Sequence, residues 1–235
     1  MKVLKSFIIL AVVSSWISCN SQKKDVTSLK TEIDSASYAL GLDMAIKVKA
    51  NFKEGNTDLF LQGYRNGIDS TNLLMDQKDL NVFLGAFFQK MQQEKMKKET
   101  EKNFGAVKKA GEDFLAENKV KQGIVTTESG LQYEILQKGS GENILPTSKI
   151  KIHYHGSLID GTVFDSSVDR KQPIDATANQ FIPGFNEGLL LMNKGAKYRF
   201  YIPQELAYGM QQKSQEIKPY SVLIFEVEVL EVTNE

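Results

Sequence analysis

The segment that most limits what this chain can fold into is residues 181–195, FIPGFNEGLLLMNKG. It reads as a turn, a short amphipathic helix and a stop. Pro183 suits the first helical turn, where its missing N–H is not needed, and Gly195 suits a C′ position, where a left-handed backbone ends a helix. Phe185, Leu189 and Met192 fall at i, i+4 and i+7 and therefore share one face. A helix this short is marginal alone and needs a sheet to pack on. The flanking sequence supplies one. Residues 149–158 (KIKIHYHGSL), 197–203 (KYRFYIP) and 221–232 (SVLIFEVEVLEV) all alternate in the strand period. In the last of these, Leu223, Phe225, Val227 and Val229 share a face opposite Glu226, Glu228 and Leu230. One sheet curling around one helix, with aromatics converging between them, is the expected picture.

The first half of the chain follows a different period. From Asp34, residues Tyr38, Leu42, Ala45, Ile46 and Lys49 keep helical spacing, with Asp34 or Ser35 as the cap. Residues 56–69 form a second candidate, with Leu59, Phe60, Tyr64 and Ile68 on one side. Asp76 and Asp79 suit the start of a third, longer helix carrying Leu80, Phe83, Leu84, Phe87, Phe88 and Met91. It is expected to run to about Asn118, although Gly105 and Gly111 weaken it. Three such helices make a thin core, and small modules gain stability by association. The 83–91 face is therefore expected to be covered by a partner. Residues 119–129 are polar and break the pattern, which places a boundary there. A strand at 130–135 (GLQYEI) and turns at 139–141 and 145–146 follow.

Charge narrows the function classes. The 29 lysines and arginines balance 29 aspartates and glutamates, so there is no basic field for nucleic acid. The lysine-rich run 94–121 interleaves Glu94, Glu99, Glu101, Glu112 and Glu117, which marks a solvated helix face. His153 and His155 alternate on one strand, but no motif supplies a third ligand, so no metal is expected. At the N-terminus, Lys2 and Lys5 precede an apolar run at 7–13 that is too short to span a bilayer. The lone cysteine, Cys19, sits behind Ser18 in a pattern that resembles the bacterial lipoprotein signal, with Trp16 where leucine is usual. That resemblance implies cleavage before Cys19, lipidation of its thiol and a membrane-anchored, extracytoplasmic protein. No second cysteine offers it a disulfide. The expected division is a signal peptide at 1–18, a tether at 19–33, a helical domain at 34–120 and a second domain at 121–235.

An ordered series of motifs gives the second domain a family. Ile152-His153-Tyr154-His155-Gly156 is followed by Asp160-Gly161-Thr162-Val163-Phe164-Asp165-Ser166-Ser167, then Arg170 and Pro173. Ile182-Pro183-Gly184-Phe185-Asn186-Glu187-Gly188-Leu189 comes next, then Leu206-Ala207-Tyr208-Gly209 and Phe225-Glu226-Val227-Glu228. The whole resembles the FKBP-type peptidyl-prolyl cis-trans isomerases over residues 130–232. Residues 37–41 (SYALG) and 129–133 (SGLQY) are similar to the Mip-like subgroup, extracytoplasmic members with an N-terminal helical dimerisation domain. The implied fold is α+β: an all-α N-terminal domain, then a half-open antiparallel sheet wrapped around a short helix. The implied partners are proline-containing polypeptides, a second copy bound through the N-terminal helices, and macrolide inhibitors. No cofactor is implied.

The resemblance also implies a site. Its pocket comprises Tyr154, Phe164, Asp165, Phe181, Ile182, Phe185, Tyr208, Ile217 and Phe225. Tyr208 and the Ile182 N–H would donate to substrate carbonyls, and Asp165 would sit near the rotating carbonyl, oriented by Tyr154 and paired with Arg170. Taken singly, Phe164, Phe185 and Phe225 also suit plain core and Asp165 a turn. Two departures bear on activity. Phe185 stands where the family usually has tryptophan under the proline ring, which favours the alternative of a binding module or holdase with little catalysis. Ile174 stands where many members carry an aromatic, and the 210–218 loop lacks the usual glycine and paired prolines.

Overall fold

The computed structural model describes residues 25–234, so the expected leader and the Cys19 lipidation site lie outside the described residues. The described residues divide into two compact units, the first ending at Asp76 and the second beginning at Gln77.

The first unit is a helix pair, α1 (Glu32–Asn51) and α2 (Thr57–Asp69). The cap of α1 is Thr31 rather than Asp34 or Ser35. Thr31 Oγ1 accepts the Asp34 N–H at 3.0 Å, and the Asp34 carboxylate accepts the Thr31 N–H at 3.0 Å. This reciprocal box satisfies two otherwise orphaned donors, which is why the cap lies three residues before Asp34. Helix α2 begins as its spacing suggests, with Asn56 Oδ1 accepting the Leu59 N–H at 3.0 Å. Neither helix has a fully buried residue, and Leu42, Ile46, Leu59 and Tyr64 stay exposed.

The second unit opens with a 3₁₀ turn (Gln77–Asp79) and the 39-residue helix α3 (Leu80–Asn118). The helix passes Gly105 and Gly111 without a break. Gly111 has a packing reason: a Cβ there would meet Val222 Cγ2 at 2.8 Å, so the missing methyl lets helix and sheet approach. Further along, Phe114 meets Tyr201 with ring centroids 5.9 Å apart. Asn118 Nδ2 donates to Gln132 Oε1 at 3.0 Å, and Gln132 Nε2 donates to the Leu115 carbonyl at 2.9 Å. The last turns of α3 are thereby docked on the sheet.

That sheet is antiparallel with seven strands: β1 (Ile124–Thr126), β2 (Gln132–Gln137), β3 (Lys149–Leu158), β4 (Val163–Ser166), β5 (Ile174–Thr177), β6 (Lys197–Ile202) and β7 (Leu223–Thr233). The order is β1-β2-β6-β7-β3-β4, with β5 also pairing with β3. Strand β1 falls inside the stretch that the polar pattern assigns to a boundary, and its three residues pair with β2. Along β7 the alternation holds: Leu223, Phe225, Val227 and Val229 are buried, whereas Glu228 is exposed. The short helix α4 (Pro183–Leu190) lies against this concave face and buries Gly184, Phe185, Gly188 and Leu189. A Cβ on Gly188 would meet the Phe200 ring at 2.7 Å, so glycine sets how closely helix and sheet approach. Met192, Phe200, Ile202 and Ile152 complete the core around it. Each large side chain so buried contributes about 1.5–3 kcal/mol. Helix α4 stops before the residue expected to end it. Leu191 is the C-cap, its N–H shared between the Gly188 and Leu189 carbonyls. Gly195 does adopt a left-handed conformation (φ 82°), but in the turn that leads into β6.

Candidate active site

The site is assembled at the N-terminal end of α4. Pro183 occupies its first turn, and Ile182 is the N-cap in an extended conformation, without a side-chain cap. The approach is fixed by Asn186 one turn on. Its Oδ1 accepts the Phe181 N–H at 2.9 Å and its Nδ2 donates to the Phe181 carbonyl at 3.0 Å. With Phe181 held from both sides, the Ile182 N–H is left without an acceptor among the described residues. The floor is aromatic. Phe185 lies 4.7 Å from Phe181 and meets Phe225 edge-on at 5.0 Å between centroids. Phe164 meets Phe225 edge-on at 5.4 Å.

A polar array forms one wall. Tyr154 on β3 donates its hydroxyl to Asp165 Oδ2 on β4 at 2.5 Å. Arg170, in the turn after β4, donates from Nη1 to Asp165 Oδ1 and from Nη2 to the Tyr154 hydroxyl at 2.9 Å. The guanidinium also lies 5.8 Å from the Tyr154 ring centroid. Burial opposes the charge on Asp165, yet the hydrogen bonds from Tyr154 and Arg170 prevail and hold its carboxyl below the usual carboxylate range. Burial first, and the bond to Asp165 second, push the Tyr154 phenol upward. Beneath the array, buried Ser167 accepts the Tyr154 N–H at 2.8 Å and pairs with His153 Nδ1 at 3.0 Å. His155 Nδ1 pairs with Ser166 Oγ at 3.0 Å. Both histidine rings are thus engaged by serine hydroxyls.

The opposite wall comes from Tyr208 and the 211–218 loop. Among the described residues the Tyr208 hydroxyl has no hydrogen-bond partner, and burial, then the nearby Asp165 charge, push its phenol upward. It is therefore a neutral donor at physiological pH. The loop is closed on itself: Lys213 N–H donates to the Ile217 carbonyl at 3.1 Å, and Ser214 Oγ accepts the Ile217 N–H at 3.1 Å. Ile217 is buried and projects inward.

Together these walls enclose a cavity of about 520 Å³, a volume suited to a small ligand or a short peptide turn. Tyr154, Phe164, Asp165, Phe181, Ile182, Phe185, Tyr208, Ile217 and Phe225 all line it. Arg170 does not; it braces Asp165 and Tyr154 from outside. Ile174 on β5 packs against the core and forms no part of the wall. Gln180, Lys213 and Ser214 also line the cavity and carry no mark in the sequence, since each is one polar residue in a loop without a period. Asn186 stands inside the 182–189 motif, but its clamp on Phe181 carries no mark in the sequence, because the motif does not say what that side chain bonds.

Residues 141–230 match the family model described as FKBP-type peptidyl-prolyl cis-trans isomerase, and residues 33–135 match the domain amino terminal to it. The chain is 34% identical over 222 residues to the outer membrane protein MIP of Legionella longbeachae, spanning 94% of this chain and 95% of that protein. It is 37% identical over 207 residues to the isomerase FkpA of Aeromonas hydrophila, spanning 85% of this chain and 76% of that one. Its fold is similar to the crystal structure of FkpA from Escherichia coli, with a TM-score of 0.54 and 29% identity, covering 88% of this chain and 99% of that one. On sequence and fold alike, the chain belongs to the FKBP-type peptidyl-prolyl cis-trans isomerases.

Proposed function

We propose that the aromatic cavity at the start of α4 is where this isomerase twists X–Pro bonds, and that it serves the folding of extracytoplasmic polypeptides. The observation that carries this reading is the pairing of an aromatic floor with unengaged donors at its rim. Rotation about the amide breaks its resonance against a barrier of about 18–20 kcal/mol. The planar amide is more charge-separated than the twisted one, so an apolar enclosure disfavours the ground state relative to the transition state. Each roughly 1.4 kcal/mol of such discrimination gives a tenfold gain in rate. Phe185, Phe164 and Phe225 hold the proline ring. The Ile182 N–H and the Tyr208 hydroxyl, neither bonded to another of the described residues, donate to substrate carbonyls. Asp165 faces the rotating carbonyl, and Tyr154 and Arg170 fix its orientation. No nucleophile, metal or cofactor takes part.

The same reading extends to the rest of the chain. Cys19 carries a lipid after cleavage of residues 1–18, the tether at 19–33 follows, and the helices of 34–120 join two copies, with residues 121–235 as the isomerase domain. Two cavities on one dimer hold a non-native chain at two points and raise its effective concentration. The test is isomerase activity of the chain lacking residues 1–19 on proline peptides, with rapamycin as the macrolide competitor. Turnover that rapamycin blocks supports the site. Phe185 favours a second reading, a binding module with little catalysis, because phenylalanine offers less floor than tryptophan. Under that reading peptides bind without turnover, and Phe185→Trp gains activity.

A further inference from the structure

Among the described residues, the isomerase cavity carries one positive charge without an ion-pair partner. Two charged side chains line it, Asp165 and Lys213. Asp165 is already matched by Arg170 and Tyr154. Lys213 is not: among the described residues no carboxylate lies within 4.0 Å of its ammonium, which stands 5.4 Å from the centroid of the Tyr208 ring. The other charges of the same loop do not line this cavity, although the Glu216 carboxylate reaches its wall through Ser214. Glu216, whose carboxylate accepts from Ser214 Oγ at 2.8 Å, lines a separate cavity with Lys218 and Asp160. Lys218 and Asp160 also offset each other electrostatically. The loop thus sorts its charges, and Lys213 alone is turned to the isomerase side. Its backbone is fixed by the bond to the Ile217 carbonyl, while its four-carbon stem lets the ammonium reach toward a bound chain.

We infer that the cavity prefers proline segments with an acidic side chain next to the proline, and that Lys213 determines this preference. The inference rests on the proposed use of the cavity for X–Pro segments. A carboxylate on the bound chain would meet the uncompensated ammonium beside Tyr208. A lysine in its place would meet like charge.

The experiment compares peptides with Glu, Gln or Lys immediately before the proline, and a second set varied immediately after it, using the chain without residues 1–19. In at least one set kcat/KM should fall in the order Glu, Gln, Lys, with about two- to fivefold between neighbours at roughly 10 mM salt. The spread should shrink at about 1 M salt, where screening acts within roughly 3 Å. Lys213→Gln should flatten the order and Lys213→Glu should invert it, with unchanged melting temperatures showing that both variants are folded. A flat order in both sets, or one that survives Lys213→Glu, overturns the inference. If no peptide is turned over, the isomerase reading of the cavity fails. The same order is then read from anisotropy titrations of labelled peptides, where a flat result likewise overturns the role of Lys213.

Discussion

Tyr208 separates function from stability, because its hydroxyl bonds to none of the described residues. Tyr208→Phe should lower kcat/KM by about two- to twelvefold, the worth of one hydrogen bond of roughly 0.5–1.5 kcal/mol. Its unfolding midpoint in urea should match that of the unaltered chain; a lower midpoint would mean the hydroxyl is structural. Arg170 is the converse case, since it acts only through Asp165 and Tyr154. A carboxyl held low by folding contributes stability that is complete above its unfolded pKa and is lost as the pH falls through the lowered folded value. Arg170→Ala should therefore be less stable than the parent above the usual carboxylate range, and the gap should close in acid. A carboxyl-carbon NMR titration should find Asp165 moved upward in that variant. No upward movement would mean that Tyr154 alone holds the carboxyl down. At this scale the sequence was legible where a motif exists. Tyr154, Asp165 and Phe185 belong to ordered patterns and meet in one cavity. Lys213 enters through a loop, and Asn186, though it stands inside a motif, through a clamp; the significance of each depends on what folds beside it.

Elements were legible in proportion to their length. Ten residues of alternation mark β3, and eleven mark β7. Strands β1, β4 and β5 have three or four residues each, too few for a period to emerge. Helix α3 shows the opposite error. Gly105 and Gly111 weaken the expectation of an unbroken rod, yet Gly111 is the residue that seats the rod against Val222. Its docking is testable. Asn118→Ala leaves the buried Gln132 Oε1 without its donor and should cost about 1–3 kcal/mol of unfolding free energy. A chain beginning at Gln77 should melt above one beginning at Lys121, which lacks Phe114 and Asn118 altogether. Equal melting temperatures would mean that the helix adds nothing to the sheet. In α4, Asn186→Ala frees Phe181 and should raise KM for peptides more than it lowers kcat, since the aromatic floor stays in place. An unchanged KM would show that the clamp does not govern the rim.

For the whole molecule, the proposals concern where it resides and with what. Cys19→Ala should move the protein from the membrane fraction to the soluble fraction of cells expressing it; retention would count against the lipid. The chain without residues 1–19 should sediment at twice its own mass, and a monomer at micromolar concentration would count against pairing through the helices. The core around α4 has a further consequence. It is closed by Phe200, Ile202, Val227, Leu189 and their neighbours, and residues 25–234 contain no cysteine. Nothing in that part of the chain can be oxidised to a cross-link or reduced out of one. Its folding therefore waits on no disulfide, and a folding helper built this way needs no thiol oxidant to reach its working form.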